Sequence, residues 1–393
     1  KKAGGEVILV TAADQSIADK LSTYVEVFDG VYGSDGKENL KADQKAEFLC
    51  KRYGSKGFAY IGNSTSDIKV WEHASDVIVV NPSLILKSRL KKRFENIECL
   101  DAHAKVAHVF TLLRPHQWLK NTLVFLPVFA AQAFVFEKIL QSTLAFLVFS
   151  IVASAVYVVN DLFDIQSDRK SPLKKHRPIA SGKVQISTGI TIGVVAFAMG
   201  LSLAFLIKWD LFLILCFYSL LNFLYSTYLK KVIVIDICCL GLFYVLRVYA
   251  GSLSTEIGLS FWLVAFSLFL FLALGAIKRM NEIVKSVKSN QRAVHGRGYL
   301  TSDLSVISQI SVGFSFSSIV LLALYLNSAN VVEAYNNPSL LWGLVLLLIF
   351  WINRLIILTS RADCEEPLLF FIKDKTSLLC ATIGAVLIYA ASI

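Results

Sequence analysis

Nine apolar segments recur along most of this chain, at residues 120–135, 142–160, 187–207, 210–228, 234–251, 258–277, 306–326, 339–359 and 377–392. Each approaches the ~17 to 25 residues that an α-helix needs to cross a bilayer, the first and last least clearly. In hydrocarbon every backbone N–H and C=O must be paired internally, which restricts such segments to helices packed side by side. The pattern predicts a multi-pass α-helical membrane protein with about nine transmembrane helices. Composition agrees, because 55% apolar and 17% charged residues over 393 positions lie outside the range of soluble chains.

The charged residues are unevenly placed. Loops 161–186, 229–233, 278–305 and 360–376 hold seventeen Lys and Arg, whereas the alternate loops hold only Lys138 and Lys208. By the positive-inside rule the first set, and with it the N-terminal segment, is expected in the cytoplasm, in a cytoplasmic (inner) membrane. The net charge of +10 then fits loops facing anionic lipid or phosphorylated substrates, and no nucleic-acid partner is expected. Seven cysteines, at 50, 99, 216, 238, 239, 364 and 380, form no C-x-x-C pair, so neither a disulfide framework nor a zinc site is expected. The first residues lack the pattern of a cleavable signal peptide.

Residues 1–95 read differently. Short β-rich runs at 7–11, 58–62 and 77–80 alternate with helical patterns at 17–24, 42–53 and 67–73, the signature of a parallel α/β layer. A basic run at 87–93 leads into a polar stretch, and residues 96–106 read as a linker to a membrane domain spanning 107–393.

The second apolar segment ends in Asn160-Asp161-Leu-Phe-Asp164-Ile-Gln-Ser-Asp168. Offsets of three, four and seven place the three carboxylates on one helical face. Like charges at a bilayer boundary repel unless a divalent cation sits among them, and magnesium favours carboxylate, water and phosphate oxygens. Lys174, Lys175, His176 and Arg177 follow at once and supply positive charge for a diphosphate. A hydrated loop of mixed charge is the plain alternative. Further polar residues stand at Tyr225, Ser226, Lys230, Lys231 and Asp236, with Arg247 about three turns deeper. Asp236 could extend the metal site and Arg247 could hold a buried anion, while Lys230 and Lys231 are equally read as flanking charges. Lys278, Arg279 and Glu282 form a third cluster; Arg354 could snorkel to the interface.

At these residues the chain resembles the UbiA-type superfamily of intramembrane transferases, with nine helices and an N-D-x-x-D-x-x-x-D metal motif, over about residues 107–393. Within it the chain is most similar to the decaprenyl-phosphate phosphoribosyltransferases. That similarity is carried by Arg114-Pro-His-Gln-Trp118-Leu-Lys120-Asn121, Tyr225-Ser226 with Lys230-Lys231 and Asp236, Lys278-Arg279 with Glu282, and Phe371-Ile-Lys-Asp374-Lys-Thr-Ser377. The resemblance implies transfer of 5-phosphoribose from phosphoribosyl diphosphate to a polyprenyl phosphate. Mg2+ would sit on Asp161, Asp164 and Asp168, the catalytic set. Lys120, Asn160, Arg177, Tyr225, Lys230, Asp236, Arg247, Lys278 and Arg279 are the candidate substrate contacts. The second D-x-x-x-D motif of aromatic prenyltransferases is missing, since Leu240 stands four positions after Asp236.

The N-terminal segment resembles the C-terminal part of a haloacid dehalogenase-like phosphatase, a Rossmann-like α/β domain, through Thr11, Lys45 and Gly62-Asn63-Ser64-Thr-Ser-Asp67. Asn63 replaces the usual Asp and no D-x-D nucleophile motif precedes Thr11, so no phosphatase turnover is expected from these residues. Two rival readings of the whole chain remain: a prenyltransferase moving an isoprenoid from its diphosphate to an aromatic acceptor, and an ion-coupled transporter using Asp236 and Arg247.

Overall fold

The structure, a computed structural model, describes residues 5–35, 39–100, 106–171, 174–362, 370–371 and 373–393. The end of the expected linker at 101–105, Cys364 and much of the 360–376 loop lie outside the described residues. The chain divides into two compact units, Lys1–Lys105 and Val106–Ile393.

In the first unit β1 (Ile8–Asp14) pairs in parallel with β2 (Gly30–Ser34), and β3 (Tyr60–Gly62), β4 (Val77–Val80) and β5 (Glu98–Leu100) form a second parallel sheet in that order. Helices α1 (Gln15–Tyr24), α2 (Asp43–Tyr53), α3 (Ile68–Trp71) and α4 (Leu84–Lys91) lie between strands. Side chains fix where two of them start: Asp14 accepts from Ser16 N at 2.9 Å, and Ser83 accepts from Leu86 N at 3.1 Å. Trp71, Val77, Val79, Leu86 and Leu90 are buried together. Two strands differ from the sequence reading. β2 is a five-residue run containing two glycines, and β5 lies inside the stretch read as a linker, where Ile78, Val79 and Val80 of β4 pair with Glu98, Cys99 and Leu100. Both strands are too short to show a period of their own.

The second unit is helical. After α5 (Val106–Leu113) come α6 (Leu126–Ala130), α7 (Phe136–Phe163), α8 (Ile165–Lys170), α9 (Ile186–Ile207), α10 (Trp209–Thr227), α11 (Ile235–Thr255), α12 (Phe261–Lys288), α13 (Leu304–Leu326), α14 (Ala329–Ala334), α15 (Trp342–Ser360) and α16 (Lys375–Ser392). Among the described residues eight helices, namely α7, α9 to α13, α15 and α16, are long and apolar enough to cross a membrane. The ninth expected crossing, at 120–135, is not a continuous helix. Arg114 takes a left-handed backbone (φ 51°), a tight 3-10 run follows over Pro115–Phe125, and α6 covers only five residues. Pro127 accounts for part of the break, since its ring would clash with a preceding carbonyl in an extended helix and it offers no N–H.

Close packing positions the polar segment before α6. A Cβ on Gly251 of α11 would lie 1.9 Å from the carbonyl oxygen of Val124, so only glycine lets the 3-10 run lie against α11. Val124, Val148, Phe149, Val152, Leu215, Tyr218 and Leu246 form one buried cluster around this contact. Outward faces carry exposed Val194, Val195, Leu206 and Phe217, suited to lipid.

Candidate active site

α7 unwinds at Asp164, so the Asn160 to Asp168 motif is not one continuous helical face: α7 ends at Phe163 and α8 restarts at Ile165. The turn nevertheless brings two of its carboxylates onto one cation. Arg177 Nη1 donates to Asp161 Oδ1 at 3.0 Å and to Asp168 Oδ2 at 2.6 Å, with both aspartates buried. Arg114 Nη2 also donates to Asp161 Oδ1. Asp164 stands apart from this pair, half-buried, with Lys230 Nζ at 3.4 Å. Asn160 Oδ1 accepts from Ser226 Oγ at 2.8 Å, tying the motif to α10.

A cavity of about 660 Å³ opens beside this motif. Asn160, Asp161, Arg177, Lys120, Tyr225, Arg247 and Lys278 all border it, as do Arg114, Lys174 and Arg297. Among the described residues its lining holds seven Lys or Arg (114, 120, 174, 177, 247, 278 and 297) against two carboxylates, Asp161 and Glu282.

Asp236 and Arg279 belong to a buried network that meets the cavity wall at Tyr225, Glu282 and Arg297. Arg279 Nε lies 2.5 Å from Asp236 Oδ2 as an ion pair by distance, and Arg279 Nη1 lies 2.6 Å from Glu282 Oε2. Tyr299 donates to Asp236 Oδ1 at 2.5 Å and accepts from Val234 N at 3.0 Å. Burial, and then the hydrogen bond to Asp236, pushes the Tyr299 hydroxyl well above the ordinary phenol range. Arg279 Nη2 and Arg297 Nη1 each donate to the Tyr225 hydroxyl at 2.9 Å. Among the described residues Asp236 is held by Tyr299 and Arg279 and not by any of the motif aspartates.

Arg247 is 2% exposed. It donates through Nε to Asn121 Oδ1 at 2.8 Å, through Nη1 to the Phe243 carbonyl and through Nη2 to the Tyr218 hydroxyl at 3.2 Å. Arg354, read as a snorkelling residue, instead meets Asp374 through two bonds of 2.7 and 2.9 Å. The Arg354 bonds come first, with the Ser377 donors adding to them, in holding the Asp374 carboxyl below its usual range against a smaller effect of burial.

In the first unit Lys45, Asn63 and Asp67 come together. Asp67 Oδ2 accepts from Asn63 N (3.0 Å), Ser64 N (2.9 Å) and Ser64 Oγ (2.9 Å), and Oδ1 accepts from the Tyr60 hydroxyl (3.0 Å) with Lys45 Nζ at 3.9 Å. Burial works to raise the Asp67 pKa, and these donors outweigh it and hold it low. Burial lowers the Lys45 pKa, opposed by Asp67. Thr11 is engaged locally, its hydroxyl accepting from Ala13 N at 3.1 Å.

The residues present fit magnesium in the mode it commonly takes, one or two carboxylates with substrate phosphates and water completing the shell. Asp161 and Asp168 would supply the two, and among the described residues Asp168 Oδ1 is buried with no hydrogen-bond partner. Among the described residues no group of three or more His, Cys, Asp or Glu converges, so Asp164 does not join them in a closed cage.

Arg114, Arg297 and Tyr299 carry contacts that the sequence did not assign to them. Their partners lie 47, 72 and 63 positions away in the chain, beyond the reach of local spacing.

Known proteins agree with this fold. The pattern of the UbiA prenyltransferase family matches residues 122–373. An uncharacterized Sinorhizobium fredii protein, y4nM, is 34% identical over 96% of this chain and 74% of its own length. Nodulation protein NoeC of Azorhizobium caulinodans is 33% identical over 68% of this chain and 87% of its own. Decaprenyl-phosphate phosphoribosyltransferase of Mycobacterium tuberculosis is 37% identical over 45% of this chain, and the match spans 61% of that enzyme. A UbiA homolog from Archaeoglobus fulgidus, solved bound to GPP and Mg2+, superposes with a TM-score of 0.52 at 18% identity, covering 72% of this chain and 99% of that one. The chain is an integral membrane protein of the UbiA prenyltransferase family.

Proposed function

We propose that this protein is a magnesium-dependent phosphoribosyltransferase that moves 5-phosphoribose from phosphoribosyl diphosphate to a polyprenyl phosphate, a step of glycolipid synthesis. One observation carries the reading: a cavity with seven Lys or Arg and two carboxylates suits two phosphorylated substrates better than a neutral aromatic acceptor. The similarity to the mycobacterial phosphoribosyltransferase supports the same choice.

In the reaction an acceptor phosphate oxygen forms a bond to C1 of the ribose while the bond from C1 to the diphosphate oxygen breaks, its electron pair leaving with the diphosphate. The acceptor is already an anion, so no protein base is required. Asp161 and Asp168 would hold magnesium, which when bound would supply charge stabilisation to the leaving diphosphate. Arg177 and Arg114 orient the two buried carboxylates. Lys120, Lys174 and Lys278 add fixed positive charge where negative charge develops, at a boundary of low dielectric. The loops carrying these residues would face the cytoplasm, the side of the water-soluble donor. The first unit is haloacid dehalogenase-like in this reading, with Thr11, Lys45, Asn63 and Asp67 at its motif positions.

The test is transfer of labelled 5-phosphoribose by the purified full chain, with magnesium, to decaprenyl phosphate. Lipid-linked label with equal release of diphosphate is the expected result. Absence of such label, together with consumption of a prenyl diphosphate on an aromatic acceptor, would overturn it.

A further inference from the structure

Three arginines lie inside the membrane-spanning helices, and the chain compensates two of them. Arg279 has Asp236 and Glu282, and Arg354 has Asp374. Among the described residues Arg247 has only neutral partners: an asparagine, a carbonyl, a tyrosine hydroxyl and the faces of Phe149, Tyr218 and Tyr244 at 5.1 to 5.6 Å. A guanidinium has five N–H donors, and these bonds occupy three. A charge so deeply buried without a counter-ion is costly, and Arg247 borders the cavity.

Its depth follows from two helices independently. Arg247 lies eleven residues beyond Asp236 on α11, or ~16 Å along the axis. Asn121, which holds Arg247, donates to Ser150 Oγ at 2.9 Å, and Ser150 precedes Asp161 by eleven residues on α7, again ~16 Å. The cavity thus has an outer pole at Asp161 and Arg177 and an inner cationic pole at Arg247.

We propose that Arg247 holds the monophosphate of the isoprenoid acceptor at this inner pole. The inference deepens the phosphoribosyl-transfer reading and rests on it for the identity of the lipid. Displacement at C1 with the attacking oxygen opposite the leaving oxygen requires two anion sites on opposite sides of the sugar, and a cavity with cations at both ends provides them. Leu240 and Phe243 in the same wall suit an isoprenoid chain attached to the anion.

The experiment measures the thermal unfolding midpoint of the full chain in detergent with geranyl phosphate, geraniol, inorganic phosphate, or magnesium with phosphoribosyl diphosphate. Geranyl phosphate is expected to stabilise the wild type, and geraniol and inorganic phosphate much less. Arg247→Gln and Asn121→Asp, which neutralises the guanidinium in place, are each expected to weaken geranyl phosphate by at least ~tenfold while leaving the phosphoribosyl diphosphate response unchanged. Should Arg247→Gln not fold, Asn121→Asp gives the reading alone. Unchanged geranyl phosphate affinity, equal loss of both ligands, or inorganic phosphate matching geranyl phosphate would each overturn the assignment. Arg247-dependent geranyl phosphate binding without phosphoribose transfer would sustain the subsite and refute the donor; transfer with unaltered acceptor affinity in the variants would do the reverse.

Discussion

Asp161 and Asp168 accept hydrogen bonds from a single nitrogen, Arg177 Nη1, although the helix that carries Asp161 ends at Phe163 and Asp168 lies in the next, which begins at Ile165. One arginine therefore keeps two buried carboxylates at a fixed separation and partly compensates their charge. Asp164 lies outside that arrangement.

The carboxylates should differ in consequence. Asp161→Asn and Asp168→Asn are expected to cut turnover by at least ~100-fold with helical content unchanged, since each removes a charge from the metal and diphosphate position. Asp164→Asn should cost less than either. Steady-state rates beside circular dichroism decide it, and a larger loss at Asp164 would reverse the ranking.

Tyr299→Phe should destabilise the protein by about 1 to 3 kcal/mol, because Asp236 Oδ1 loses its donor and Val234 N its acceptor within a buried site. Equilibrium unfolding in mixed micelles would show the change as an earlier transition.

Gly251→Val should be more disruptive to the site than its size suggests. A Cβ there meets the Val124 carbonyl, so the 3-10 run bearing Lys120 and Asn121 must move. A cost of about 1 to 3 kcal/mol and a raised acceptor KM are expected, read from unfolding and initial-rate kinetics.

The Arg354 and Asp374 pair gives a pH dependence whose sign is fixed. The folded-state pKa of Asp374 is depressed, so its contribution is complete above the unfolded value of ~3.9 and is lost as pH falls through the lower folded value. The melting advantage of wild type over Asp374→Asn should be constant at neutral pH and shrink only in strong acid.

Much of the fold could be read in advance because hydropathy and the 3.6-residue period are local properties. The same window read residues 120–135 as a crossing, since averaged hydropathy is blind to Pro127 and to the left-handed turn at Arg114. The spacing put Asp161, Asp164 and Asp168 on one helical face, a reading that does not see the break at Asp164. The displacement of Asp164 toward Lys230 was not legible, because those residues are 66 positions apart and only the packing of α10 beside α7 brings them together. Arg297 and Tyr299 looked like ordinary members of a basic loop for the same reason.

The most direct test of the central claim offers the purified chain equal amounts of phosphoribosyl diphosphate and geranyl diphosphate, with magnesium, decaprenyl phosphate and an aromatic acceptor, and measures the products. The account predicts lipid-linked phosphoribose as the dominant product, abolished in Asp161→Asn. Predominant prenylation of the aromatic compound, or phosphoribose transfer that survives Asp161→Asn, would contradict it.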